Sequence, residues 1–183
     1  MELSALMEAQ RNYYRTGATR SLAFRELMLD SLYRKIREME PEIHAALQAD
    51  LGKSAFESYM CETGLTLSEI SYMKTHLRDF AAKKRVRTPI AQFPSRSYVL
   101  KEPYGCVLIM SPWNYPFMLT LEPLADAIAA GNTVILKPSA YSPATSAVIK
   151  KLIAAVFPEE YVAVIEGGRA ENQSLLEQKF DYI

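Results

Sequence analysis

The chain holds little from which to build a metal centre or a covalent cross-link. Its 183 residues include two cysteines, Cys61 and Cys106, and two histidines, His44 and His76. The cysteines lie far apart in sequence with no CxxC pairing, so a zinc site is not indicated and both thiols are expected to be buried and reduced. Excess charge of either sign is also lacking. Twenty-one basic residues balance twenty-one acidic ones, which removes the long-range field that draws nucleic acid or an anionic membrane. No run approaches the roughly 18 consecutive apolar residues of a membrane span. The first residues carry Glu2, Glu8 and Arg11 where an export signal would be uninterrupted and apolar. A cytoplasmic location is therefore the default expectation. Neither a GxGxxG fingerprint nor a P-loop occurs, so the usual phosphate-cradling signatures are missing.

What is present is enough apolar material for a sizeable core, 49% hydrophobic against 23% charged residues. The first half reads as helical. Phe24, Leu27, Met28, Leu32, Ile36 and Met39 recur at three- and four-residue steps, and Ile43 and Leu47 continue a shorter pattern after Pro41. Two helices with a break at Pro41 are expected, the second capped by Gly52. Ser54 can cap a longer helix whose stripe is Phe56, Met60, Thr63, Leu67, Ile70 and Leu77, ending near Ala82. The basic cluster Lys83-Lys-Arg-Val-Arg87 then reads as the solvated end of that helix, where positive charge is favoured, with anion binding as the alternative. Residues 85–97 read as a surface connection.

After Tyr98 the period changes. Tyr98 to Lys101 is strand-like, and Glu102-Pro-Tyr-Gly105 suits a type I turn. Cys106-Val-Leu-Ile-Met110 and Thr133-Val-Ile-Leu-Lys137 are apolar almost throughout, as strands covered on both faces are. A helix over about Leu119 to Ala130 separates them, with Pro123 in an early turn and Gly131 as its stop. Ser142 and Pro143 supply an N-cap and first-turn proline for the next helix. Tyr161 to Ile165 is a third strand, Glu171 to Lys179 a third helix, and Phe180 opens a fourth strand. This alternation implies an α/β fold with N-terminal helices followed by a Rossmann-like parallel sheet with right-handed crossovers. It divides the chain into a helical region and connection, 1–97, and a partial dinucleotide-binding domain, 98–183. The sequence stops at Asp181-Tyr-Ile183 as a strand begins, so the sheet is expected to be incomplete.

In such sheets ligands bind at the carboxyl ends of the strands. Three loops fall there, Ser111 to Pro116, Lys137 to Ser142, and Glu166 to Ala170. The phrases Pro112-Trp-Asn-Tyr-Pro116, Ala129-Ala-Gly-Asn132 and Leu136-Lys-Pro-Ser139, at their observed spacing, resemble the aldehyde dehydrogenase family. Gly167-Gly168 before Leu175-Leu176 resembles its class 3, fatty-aldehyde branch. The resemblance is most specific from about Leu100 onward and looser over residues 1–99. It implies a truncated aldehyde dehydrogenase fold and an enzyme that oxidises an aldehyde to a carboxylic acid with NAD or NADP.

By that resemblance Asn114 is the catalytic amide that holds the substrate oxygen as a cysteine thiolate attacks the aldehyde carbon. Read without its context, Asn114 is equally a cap for the next helix. Ser111, Pro112, Trp113, Lys137, Ser139 and Gly168 are implied in cofactor binding, with Lys137 reaching the adenosine ribose. Trp113 either walls the site or fills the core, Lys137 is otherwise a solvated strand end, and Ser139 otherwise caps a helix. Tyr115 and Met118 are implied to border an apolar aldehyde tunnel, or else to pack in the core. Ala140 stands where many family members have a ribose-binding glutamate, which points to tolerance of NADP beside NAD.

The nucleophilic cysteine and general-base glutamate that the resemblance requires are expected beyond position 183. Neither Cys61 nor Cys106 has the setting of a reactive thiolate, so the chain alone is expected to be inactive. The intact protein is expected to be a homodimer. Two alternatives stay open: a non-catalytic dinucleotide-binding or interaction module, and part of a CoA-dependent aldehyde or acyl-phosphate reductase.

Overall fold

A computed structural model describes residues 2–183. Helix α1 (Leu3–Arg15) is followed by a 3-10 turn (Ala18–Arg20) and by α2 (Leu22–Leu51), which Ser21 caps by accepting from the Phe24 N–H. Gly52 closes α2 in the left-handed region at φ +69°, as expected of a glycine stop. The break expected at Pro41 does not occur, and α2 runs through it as a single 30-residue helix. An interior proline costs about 3 kcal/mol. Leu29, Leu32, Ile36, Met39, Ile43 and Leu47 on either side of it are all buried, each contributing roughly 1.5–3 kcal/mol. Packing outweighs the lost hydrogen bond.

Ser54 accepts from the Glu57 N–H and starts α3 (Ala55–Ser58), as expected. The chain then takes a π-helical turn (Tyr59–Thr63) before α4 (Gly64–Ala81). The extra residue per turn shifts the face presented to the core. Phe56 and Met60, expected in the buried stripe, are exposed by 76% and 53%, while Glu62 and Thr63 are fully buried. Cys61 is consequently half-buried rather than buried.

The basic cluster is not a helix end. Helix α4 stops at Ala81, and β1 (Lys84–Val86) pairs antiparallel with β2 (Ser97–Val99), so residues 85–97 hold a two-stranded ribbon rather than a bare connection. Position 97 itself lies in β2. The type I turn expected at Glu102 to Gly105 is replaced by a longer-range tie, in which the Gly105 N–H donates to Asn132 Oδ1 at 3.0 Å.

Strands β3 (Cys106–Met110), β4 (Thr133–Lys137) and β5 (Val162–Val164) form a parallel sheet in the order β3-β4-β5. Cys106 is in register with Thr133, Met110 with Lys137, and Val134 with Val162. The fourth strand expected from Phe180 is reduced to one parallel bridge, between Val107 of β3 and Tyr182. Helix α5 (Met118–Ala130) joins β3 to β4, and α6 (Pro143–Val156) joins β4 to β5. Helix α7 spans Arg169–Leu176, two residues earlier at its start than expected. Gly131 ends α5 at φ +94°, and the Arg25 guanidinium lies so close that a Cβ there would come within 2.6 Å of Nη2.

Both sheet faces are covered, which explains strands without alternation. Val107, Ile109, Val134, Leu136 and Val162 share one core with α2, α4, α5 and α6. Cys106, Leu108, Ile135 and Ala163 point the other way, against Leu6 and Met7 of α1 and Leu175 of α7. The first cluster therefore spans the N-terminal helices and the sheet alike. No helix among the described residues is long and apolar enough to cross a membrane.

Candidate active site

The carboxyl ends of β3, β4 and β5 open into the loops that begin at Ser111, Pro138 and Ile165. The Ser111 N–H donates to the Lys137 carbonyl at 3.2 Å, continuing the sheet pairing one step beyond the strands and binding the first two loops together. The Ser111 hydroxyl meets the Thr120 hydroxyl at 2.5 Å, and Thr120 also donates to the Pro116 carbonyl. The loop is thereby closed back onto the first turn of α5.

Beyond Ser111 the loop emerges from the core. Pro112, Trp113, Asn114 and Tyr115 are all exposed, with Trp113 at 54%, so the indole does not fill the core. Asn114 does not cap α5: its side chain forms no hydrogen bond among the described residues, and the cap is supplied from elsewhere. Glu62 Oε2 accepts from the Phe117 and Met118 N–H groups at 3.0 and 2.9 Å. Its other oxygen pairs with Lys53 Nζ at 2.5 Å, and Lys53 in turn donates to the Asn114 carbonyl at 3.2 Å. The same ammonium lies 4.2 Å from the centroid of the Tyr115 ring. Met118 is half-buried. Asn114 is thus left with a free amide on an anchored backbone.

Lys137 is not a solvated strand end, since it is only 3% exposed. Its ammonium donates to the Pro138 carbonyl at 2.7 Å, the one acceptor found for it among the described residues, whereas an ammonium carries three donors. Burial holds its pKa below the usual lysine range, and the nearby Glu171 carboxylate acts against that shift. A buried cation with donors to spare fits a ligand rich in hydroxyl or anionic oxygens.

Ser139 accepts from the Tyr141 N–H at 3.1 Å and folds the loop locally, while its carbonyl accepts from Ser146 Oγ. Ser142 stands at the N-cap position of α6 but its side chain does not cap. Asp50, in the last turn of α2, does so instead: Oδ1 accepts from the Ala144 N–H, and Oδ2 from the N–H and hydroxyl of Thr145. At the third loop the Gly168 N–H donates to Glu171 Oε2 at 2.6 Å. Backbone donors from Glu171 itself and Gly168 hold that carboxyl below its usual range.

The expected residues therefore fall into two groups. Ser111, Lys137 and Ser139 gather at the ends of β3 and β4, with Gly168 at the start of α7 after β5. The Asn114 carbonyl, the Tyr115 ring and the Met118 N–H form the second group, met by Lys53 and Glu62 of the N-terminal region. Sequence reasoning missed Lys53, Glu62 and Asp50. The only local hint was a charged residue inside or beside an otherwise apolar helical stripe. A separate cavity of about 630 Å³ lies at the far end of α5, lined in part by Arg20, Arg25, Lys101 and Asp126.

Cys106 is 1% exposed, and burial pushes its thiol up to about 11. Its Sγ donates to Gln10 Oε1 at 3.3 Å. This is a structural thiol.

The 4,4'-diaponeurosporen-aldehyde dehydrogenase of Staphylococcus aureus is 46% identical over 171 residues, 93% of this chain and 37% of that protein. Aldehyde dehydrogenase family 3 member H1 of Arabidopsis thaliana is 40% identical over 182 residues, covering 100% of this chain and 38% of its own length. The solved substrate-bound state of Staphylococcus aureus AldH superposes with a TM-score of 0.96 at 43% identity, over 100% of this chain and 40% of that one. The chain spans about two fifths of the length of the relatives it matches. Residues 2–182 match the aldehyde dehydrogenase family model, and the chain belongs to that family.

Proposed function

We propose that this chain supplies the dinucleotide-facing loops and one oxyanion donor of an enzyme that oxidises an aldehyde to a carboxylic acid with NAD or NADP. The observation that carries the proposal is the exposed amide of Asn114, unpaired among the described residues, on a loop whose backbone Lys53 and Glu62 anchor. At the end of β4 a buried Lys137 with donors to spare supports it. A bound dinucleotide would supply the hydride acceptor for the oxidation. In this reading Lys137 and Ser139 would hold the ribose, and Ser111, Pro112, Trp113 and Gly168 would contribute walls and backbone groups.

A thiolate adding to the aldehyde carbon moves the carbonyl electron pair onto oxygen, and the Asn114 amide donates to the oxyanion so formed. A preorganised donor of this kind is worth about 10²–10³ in rate. The proposal takes the thiol from outside these residues, since Cys106 is buried with a raised pKa and Cys61 is half-buried within the π turn. Tyr115 and Met118 border the approach to Asn114 and suit an apolar aldehyde. The 1–97 and 98–183 division is proposed as an order of roles, helices first and cofactor loops second.

The test is aldehyde-dependent reduction of NAD or NADP by the intact protein, with the product identified. A carboxylic acid supports the reading. An acyl-CoA formed only with CoA would assign a reductase of the same family, and dinucleotide binding without turnover would assign a binding module. A homodimer and a cytoplasmic location belong to the same proposal and are tested by sedimentation and by cell fractionation.

A further inference from the structure

Lys53 and Glu62 form an ion pair with side chains 9% and 0% exposed. A buried pair of this kind is weak ground for a stability argument, because an apolar pair of similar volume often serves as well. What this pair does that an apolar pair would not is divide its hydrogen bonds between the two sides of the Asn114 loop. Lys53 takes the Asn114 carbonyl and faces the Tyr115 ring, while Glu62 takes the Phe117 and Met118 N–H groups. The π turn brings Glu62 inward, and Gly64 permits that turn, since a Cβ there would lie 2.6 Å from the Tyr59 carbonyl oxygen. The π turn and the buried charge serve one local geometry.

We propose that Lys53 and Glu62 are positioning residues that clamp the loop from Asn114 to Met118 and so aim the Asn114 amide at the substrate oxygen. The proposal rests on the functional reading above. Displacing a reacting group by about 1 Å can cost on the order of a hundredfold. Releasing one of several anchors is expected to cost roughly tenfold in kcat, and because Tyr115 and Met118 ride on the same loop KM is expected to shift with it.

The experiment is a double-mutant cycle on the intact enzyme, with Lys53→Met, Asn114→Ala and both together. If Lys53 acts through Asn114, the loss from Lys53→Met disappears once Asn114 is alanine. Losses that multiply, or a Lys53→Met enzyme with wild-type kcat, overturn the proposal. Should Lys53→Met fail to fold, Glu62→Gln preserves shape and one acceptor and carries the same cycle. Trp113 is the only tryptophan in this chain, so the part of the intact protein's fluorescence anisotropy that Trp113→Phe removes reports the loop without any turnover. Greater Trp113 mobility in Lys53→Met supports the clamp, and unchanged anisotropy contradicts it. Absence of aldehyde oxidation by the wild type would overturn the functional reading and leave the anisotropy to decide the clamp.

Discussion

Asp50 accepts both the backbone N–H and the hydroxyl of Thr145 at 2.7 Å, although the two residues are 95 positions apart. The helix that follows the Lys137 loop is therefore capped by the helical half of the chain, as α5 is capped by Glu62. The helices that follow the β3 and β4 loops, α5 and α6, both take their first backbone acceptors from the N-terminal region.

Replacing Asp50 with alanine removes an acceptor from two N–H groups and one hydroxyl. The expected loss is ~1–2 kcal/mol of stability, read as a lower midpoint in urea unfolding with an unchanged slope. Asp50→Asn should recover part of it, since its carbonyl can still accept.

Lys137→Met keeps a long side chain in a buried position and removes the ammonium. Dinucleotide affinity is expected to fall about tenfold to a hundredfold, the range for a hydrogen bond to a charged group, measured by calorimetry on the intact protein. Unchanged affinity would remove Lys137 from the cofactor site.

At position 140 the exposed alanine presents no carboxylate to a 2′-phosphate. Turnover with NADP is expected beside turnover with NAD. Ala140→Glu should lower the NADP to NAD ratio of kcat/KM by roughly tenfold, equivalent to about 1.4 kcal/mol of repulsion. A wild-type enzyme inert with NADP would contradict this.

Burial raises Cys106 from an ordinary 9.0 to about 11 in the folded chain. Between those values the unfolded thiol loses its proton first, so the unfolded state gains stability as pH rises. The stabilising contribution is complete below pH 9.0 and is lost as pH climbs through about 11. Cys106→Ala should flatten that alkaline decline in unfolding experiments. At neutral pH, iodoacetamide should label half-buried Cys61 well before Cys106, as peptide mapping would show.

Strands β3 and β4 were legible because a sheet covered on both faces leaves an unbroken apolar run, and their ends came out residue for residue. Gly52, Ser54 and Gly131 act within a turn or two of where they stand, so local chemistry was enough to mark those boundaries. Pro41 misled because the forces that carry α2 through it come from partners far along the chain. Phe56 and Met60 were placed inside for want of any local sign of the π turn. Lys53, Glu62 and Asp50 were not read as site residues because a nonlocal cap leaves no trace at the helix it caps. Lys137, Ser139 and Asn114 were singled out through motif resemblance, and the structure shows the burial of Lys137 and the anchored backbone of Asn114 on which their proposed roles rest.

The most direct measurement compares wild-type and Asn114→Ala forms of the intact protein in aldehyde-dependent reduction of NAD. The account predicts carboxylic acid formation by the wild type and a loss of about 10²–10³ in kcat for the variant, with the fold intact by circular dichroism because the Asn114 side chain is exposed and unpaired among the described residues. Equal rates in the two forms, or no reduction with any aliphatic or aromatic aldehyde, would contradict it.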